Sequence, residues 1–358
     1  MSDRWVNYVA SFFGVDQGAD KLFMRILAIY VLPIVVVYVV WFSYMITAGA
    51  WSIFHDNWFM TLTMIAGSFV AGASSEGGGA IAFPAMTLVF HIPPAVARTF
   101  SLAIQSLGMT AAALWIIAQR IRIEKTYLLL GAIGGTVGII LGSYYVAPFI
   151  APAYAKMLFV SFWLSFGVAL FAINHIRKRD TRLTLPILNT GQKTELILIG
   201  FIGGILSSIL GSGIDICTFA FVTMKYHVSE KVATPTSVIL MASNAVVGYL
   251  LHLMFLGDVT TEVFNYWMVS IPVVILGAPL GAFVVNKLRR LHIASFLYAI
   301  IAIQFVTAIW IIQPGGRLLA FSAASFAAGL SIFFLLTRKR NQVNMQKNKS
   351  SDKMNRVA

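Results

Sequence analysis

The stretch Ala71-Gly72-Ala73-Ser74-Ser75-Glu76-Gly77-Gly78-Gly79-Ala80-Ile81-Ala82-Phe83-Pro84 limits most strongly what this chain can become. It lies inside an apolar segment running from Trp58 to Phe90. Three consecutive glycines stop a helix, because each costs about 1 kcal/mol relative to alanine in a helix interior. The two apolar pieces, 58–73 and 80–90, are short for a hydrocarbon core of about 30 Å at about 1.5 Å per residue. A broken backbone with a carboxylate at its centre is tolerated in a bilayer only where protein or a water-filled cavity covers it. The stretch therefore reads as the lining of a transport site.

The rest of the chain supports a bilayer. Of its 358 residues 59% are hydrophobic and 11% charged, whereas soluble domains carry about 25% charged residues. The fold class expected is an all-α polytopic membrane protein. Helices are expected over 22–50, 95–118, 126–148, 154–175, 232–255, 263–286, 293–312 and 318–337, with a bend at Pro33. A short amphipathic arm precedes them, and a basic, polar, disordered tail follows from Arg338. The first apolar run, Leu22 to Gly49, is too long for a cleaved signal and reads as a retained span. The formal net charge of +13 has no soluble basic domain on which to bind nucleic acid. Positive loops beside membrane spans account for it. Cys217 is the single cysteine, so no intrachain disulfide forms.

The pattern then restarts. Glu195 to Tyr226 is again apolar and is broken at Gly211-Ser212-Gly213-Ile214-Asp215. A shift of 136 residues superposes Gly67 on Gly203, Gly77 on Gly213, Phe83 on Phe219, Thr87 on Thr223, His91 on His227, Val96-Ala97 on Val232-Ala233, Ser101 on Ser237 and Leu114 on Leu250. Further on, Gly138 and Gly142 match Gly277 and Gly281 at a shift of 139. Paired interrupted segments in two halves point to a transporter's binding site. If each broken segment is a re-entrant hairpin, each repeat crosses three times and the halves are inverted. Of the 26 Lys and Arg residues, only Arg98, Lys156 and Arg317 then face away from the side of the N-terminus. The positive-inside rule prefers that arrangement to one with two full crossings, and makes both termini cytoplasmic. The expected organisation is an arm and extra helix (1–57), a first repeat (58–176), a basic cytoplasmic linker (177–194), a second repeat (195–313), an extra helix (314–337) and a basic cytoplasmic tail (338–358).

Several residues are candidates for chemistry. Gly77, Gly78 and Gly79 can present backbone N–H groups to an anion at a helix N-terminus, or can simply permit a tight hairpin. Ser75, Gly211, Ser212 and Gly213 line the same breaks. Ser101 and Gln105 share one helix face with Gly108. With Ser237 and Asn244 they can hydrogen-bond an oxyanion, or only bond across helices. Glu76 and Asp215 place an acid in each break, where an ionised carboxylate costs about 2.5–3.5 kcal/mol and repels an anion. Three roles fit them: an acid kept protonated by desolvation, a cap on exposed N–H groups, or a site for a coupling proton or sodium ion. His91, His227 and His252 lack metal-ligand spacing. No cofactor motif and no nucleotide-binding loop of the Gly-x-x-x-x-Gly-Lys-Ser/Thr kind is present. Trp51, Trp58, Tyr127 and Trp267 read as interfacial anchors.

The run Gly72 to Pro84, the Pro93-Pro94 turn, Thr99-Phe100-Ser101, and the second copy at Gly203 to Asp215 with Pro235-Thr236-Ser237 resemble the sulfite exporter TauE/SafE family, also called toluenesulfonate uptake permeases. The resemblance covers residues 60–312, with the first and last helices as additions. The second copy departs from the pattern by lacking the triple glycine, and Glu76 and Asp215 add acids. The resemblance implies a carrier of sulfite, sulfonates or related organosulfur anions in the bacterial inner membrane. Its partners would be the small anion, membrane lipid and a proton or sodium ion. The sequence specifies no oligomeric state. Export is the expected direction, with cation-coupled uptake or a passive anion channel as alternatives. An intramembrane serine protease built on Ser212 is the enzyme reading.

Overall fold

The computed structural model describes residues 19–75, 77, 82, 85–176 and 181–355. The N-terminal arm, Glu76, Gly78 and Gly79 lie outside them. Among the described residues the chain forms twelve α-helices and no strand beyond one isolated bridge, Arg182 to Val228. Nine helical stretches among the described residues are long and apolar enough to cross a membrane.

The first span is continuous. Helix α1 (Ala19–Ile26) passes through a π-turn at Leu27–Val31 into α2 (Leu32–Thr47). Pro33 has no N–H to give the preceding turn, so the expected irregularity sits there as a widened turn. Helix α3 (Ser52–Ala73) ends at Ser74, which is extended. A π-turn at Ala85–Val89 leads to Phe90, whose ring lies 4.6 Å from that of Phe59 in α3. Next come α4 (Pro94–Ala118), α5 (Lys125–Tyr145) and α6 (Pro152–Phe171).

Helix α7 (Thr190–Leu210) starts at a capping box formed by Asn189 and Gln192. It is long enough to span on its own, longer than half of a broken segment was expected to be. Helix α8 (Ile214–Lys225) folds back beside it, with Lys225 ion-paired to Glu195 in the second turn of α7. Every residue of α8 from Ile214 to Met224 is buried, so the short helix is covered by protein as its broken backbone requires. Helices α9 (Glu230–Leu251), α10 (Thr261–Lys287), α11 (Arg290–Ile312) and α12 (Gly316–Asn355) complete the chain. The tail is thus helical to Asn355 where disorder was expected. It contains neither Pro nor Gly after Gly329, and Lys, Arg, Gln and Met are adequate helix formers.

Small residues set the closest contacts. Gly134 and Gly138 of α5 lie on the backbone of Ile197 and Phe201 in α7, while Gly200 and Gly204 face Gly131 and Gly135. Gly277 and Gly281 of α10 lie on Ser68 and Phe69 of α3, and Gly72 meets Ala278. Both pairs run parallel. With no hydrophobic drive between helices in lipid, such backbone-to-backbone packing supplies the association. Helices α4 and α9 instead run antiparallel. Arg98 meets Asp258 beyond the end of α9, Leu102 meets Gly248, and Ile116 lines a cleft with Thr234 and Pro235.

The turns after the two breaks match. His91 and His227 both have φ 55°. Ile92 N–H donates to Met86 O (2.8 Å) and Val228 N–H to Val222 O (3.2 Å). Each pair is separated by the same 136 residues.

Candidate transport site

The second break is built from the ends of two helices. Leu210 ends α7, Gly211 turns left-handed at φ 77°, and α8 starts at Ile214. The Gly211 carbonyl is one of the last acceptors of α7 and has no partner within that helix. Helix α4 supplies two donors to it: Gln105 Nε2 at 2.7 Å and Ser101 Oγ at 3.2 Å. Gln105 Nε2 also donates to Ser101 O at 3.0 Å and to Ser101 Oγ at 2.9 Å. These acceptors hold the amide nitrogen on Gly211 and turn Oε1 the other way.

The start of α8 is satisfied from within. Gly213 N–H donates to Asp215 Oδ1 (3.2 Å), Ser212 Oγ donates to the same oxygen (3.4 Å), and Ile214 N–H donates to Ser207 Oγ (3.0 Å). Tyr127 of α5 meets Thr218 of α8 through their hydroxyls at 2.8 Å.

The first break reaches this point through Gly77, which has φ +67°. A Cβ there would lie 2.5 Å from Gln105 Oε1 and 2.8 Å from both Asp215 Oδ2 and Ser212 Oγ. Only glycine leaves that space open and accepts that backbone. Ser75 Oγ, Gln105 Oε1 and Asp215 Oδ2 are buried and have no hydrogen-bond partner. The structure thus brings together Gly77, Ser101, Gln105, Gly211, Ser212, Gly213 and Asp215, with Ser75 two residues away along the chain.

Two expected residues sit differently. Ser237 Oγ donates to Thr234 O of its own helix at 2.8 Å, although Ser101, its partner in the repeat, reaches across to Gly211. Asn244 is buried with both amide atoms unpartnered, and its Nδ2 lies 3.2 Å from where a Gly135 Cβ would be. Ile214 packs on the same glycine, so Asn244 flanks the start of α8 from the α5 side.

Arg98 entered the sequence reading only as a charge to be counted. It lies three residues before Ser101 and seven before Gln105, on the same face of α4. That spacing was the signal available. Its carbonyl oxygen is 2.9 Å from the position of a Gly211 Cβ, and its guanidinium pairs with Asp258 at 3.5 Å. Arg98 Nε is buried without a partner. Asp258 also meets His252 Nδ1, at 2.8 and 2.9 Å. Burial pushes the Asp258 carboxyl up, but the His252 hydrogen bond and the neighbouring Arg98 outweigh it and hold the group below the usual carboxylate range.

At the opposite end a narrow cleft opens between α3, α4, α9, α10 and α11, lined by Gly72 of α3. Glu230 and Lys231 line it. Glu230 is fully buried, accepts from Asn174 Nδ2 at 3.1 Å, and pairs with Arg290 at 3.6 Å. Among the described residues no three His, Cys, Asp or Glu side chains group to hold a metal.

A family model described as Sulfite exporter TauE/SafE matches residues 59–310. The chain belongs to that family. TauE/SafE proteins are membrane transporters of sulfite-like anions, not enzymes, so this chain is a multi-pass transporter with an anionic small-molecule substrate. The TauE/SafE match runs from α3 to α11 and includes both breaks, leaving the first span and α12 outside. No curated protein and no solved structure matches the chain. Ser212 donates to the Asp215 carboxylate at 3.4 Å, and the family to which the chain belongs is one of transporters, not of hydrolases.

Proposed function

We propose that this TauE/SafE chain is a secondary transporter that moves a sulfite- or sulfonate-type anion by alternating access between two inverted halves. The observation that carries this reading is the contact of Gly77, in the first break, with Ser212 and Asp215 in the second. Discontinuous helices meeting at mid-membrane are where carriers bind cargo and coupling ions. The inverted, re-entrant arrangement is supported by the ion pair between Lys225 and Glu195, which returns the end of α8 to the side where α7 begins. The antiparallel course of α4 and α9, the helices that the 136-residue shift superposes, supports it too. A two-fold that relates antiparallel spans lies in the membrane plane.

The anion is bound by Ser75, by backbone N–H groups of Gly77, Gly78 and Gly79, and by Asn244, with Arg98 at the entrance on the side of Asp258. Ser101, Gln105, Gly211 and Gly213 shape the break that faces it, and Ser237 braces α9. Glu76 and Asp215 govern charge at the contact. Expelling a monoanion from a negative interior is downhill by about 2.3 kcal/mol per 100 mV, so export needs no coupling. The buried, half-unpartnered Asp215 favours the second reading, cation-coupled uptake, because an ionised carboxylate repels the cargo unless a cation offsets it.

Flux into proteoliposomes with sulfite, alkyl and aryl sulfonates and carboxylates, each with and without pH and sodium gradients, tests the proposal. Saturable flux and counter-transport selective for sulfur oxyanions are expected. Non-saturating conductance would make the protein a channel and end the carrier reading.

A further inference from the structure

We propose that Arg98 and His252 form an outer binding site for a three-oxygen sulfur oxyanion, and that the Asp258 carboxylate occupies this site as a tethered stand-in for the cargo. The inference rests on the transport reading for its purpose, while its geometry stands independently.

The donors outnumber what a carboxylate can use. Asp258 presents two oxygens, and His252 Nδ1 lies 2.8 Å from one and 2.9 Å from the other. An ionised carboxylate only accepts, so Nδ1 carries the hydrogen and donates it. Arg98 Nη2 approaches Asp258 Oδ2 at 3.5 Å, longer than the about 2.7–2.9 Å of a close charge-assisted bond. Arg98 Nε is buried with no partner at all. Nε and Nη2 are the prongs of a fork that matches paired oxygens of an oxyanion. A carboxylate drawn to His252 leaves that fork half empty. Sulfite or a sulfonate has three oxygens: two match Arg98 Nε and Nη2, and the third accepts from His252 Nδ1.

Burial runs in the direction that exchange needs. The Asp258 side chain is 38% exposed, Arg98 15% and His252 1%. The carboxylate thus lies outside its donors, and another anion can replace it without moving them. Asp258 comes from the loop between α9 and α10, directly after Gly257, which turns left-handed at φ 65° in open space. The donors stay on α4 and at the end of α9.

The site also leads inward. Ser101 and Gln105 follow Arg98 on one face of α4, so Gln105 at the junction of the breaks lies about 10 Å further along the helix. An anion that displaces Asp258 is held at the outer mouth of that route. When the cargo moves on, Asp258 returns, and the partly buried guanidinium is not left without a counter-charge.

The test uses the purified full-length protein in detergent. Methanesulfonate is titrated against chloride at constant ionic strength, with calorimetric binding and melting temperature as readouts. Methanesulfonate is expected to bind and to raise the melting temperature where chloride does not. Asp258→Asn removes a competitor held at high effective concentration, so it is expected to bind methanesulfonate about tenfold tighter or more than the unaltered protein. The bound anion also restores the melting temperature that this substitution lowers. Asp258→Ala gives the same gain, which covers a failure of either variant to fold. Arg98→Gln added to Asp258→Asn abolishes the gain, and Asp56→Asn, which removes an exposed carboxylate elsewhere, brings none. Unchanged or weaker affinity in the Asp258 variants overturns the proposal. An equal response to acetate, which has two oxygens, overturns it as well. Flux of sulfur oxyanions without this binding pattern removes the outer site and leaves the transport reading standing. The binding pattern without flux of any sulfur oxyanion does the reverse.

Discussion

At the scale of single residues, polar side chains in this protein divide into those that close a break and those that stay open. Ser101 and the amide nitrogen of Gln105 satisfy the last carbonyl of α7. Gln105 Oε1, Asp215 Oδ2 and Ser75 Oγ satisfy nothing. Arg98 belongs with the second group, since its buried Nε has no acceptor and its fork matches the paired oxygens of a sulfonate. Arg98→Gln is expected to weaken apparent anion affinity about tenfold or more, because a hydrogen bond to a charged group contributes about 1.5–3 kcal/mol. Concentration dependence of flux measures it, and an unchanged KM would remove Arg98 from the path. Its partner gives a pH signature. The Asp258 carboxyl is depressed in the folded protein by His252 and Arg98, despite burial. Its stabilising effect is therefore fully present above the unfolded pKa of about 3.9 and is lost as pH falls through the lower folded value. The melting-temperature gap between wild type and Asp258→Asn is expected to persist from pH 8 to about pH 5 and to close only in stronger acid. A gap that closed near neutrality would contradict the Asp258 assignment. The helical spacing of Ser101 and Gln105 was legible in the sequence, as was the oddity of Asp215. The meeting of Gln105 and Asp215 with Gly77 was not, because no local pattern encodes contacts between residues 28 and 138 apart.

At the scale of elements, glycine spacing was legible as a packing signal, but the partners it selects were not. Glycines four residues apart announce a close neighbour without saying which helix it is. In the structure α5 lies on α7, and α10 on α3. Each interface needs glycine because the facing atoms are backbone, which cannot move aside as a side chain can. Gly138→Leu is expected to destabilise by at least about 1–3 kcal/mol, the usual range for overpacking. Val137→Leu, at an exposed neighbouring position on α5, serves as the near-neutral control. Thermal unfolding in detergent reads the difference, and equal stability of the two variants would mean that the α5–α7 contact is not close in solution. Helix boundaries were largely legible because the apolar runs end at Pro, Gly or charge. The length of α7 and the helical tail were not, since both rest on polar segments with no breaker in them.

At the scale of the whole molecule, the charge count and the contacts point the same way by independent routes. The count asks where basic residues lie relative to a bilayer. The contacts ask which chain ends touch. Lys225 with Glu195, and the linker residue Arg182 bonded through its backbone to His227 and Ser229, hold the start of α7, the end of α8 and the linker at one end. Arg25 donates to Ile117 O and Ala118 O, which places the start of the first span there too. Arg98, His252 and Asp258 meet at the other end. The backbone hydrogen bond of 2.8 Å from Arg182 to His227 keeps the linker beside the end of α8, which favours the proposed re-entrant arrangement over a full crossing of about 30 Å. Single-cysteine labelling can decide this, because the native Cys217 is buried and contributes little background. A membrane-impermeant maleimide on intact cells is expected to label His91→Cys and Gly315→Cys, and to label Leu183→Cys only after the membrane is opened. Labelling of Leu183→Cys in intact cells would place the linker outside, and the inverted arrangement would fall with it.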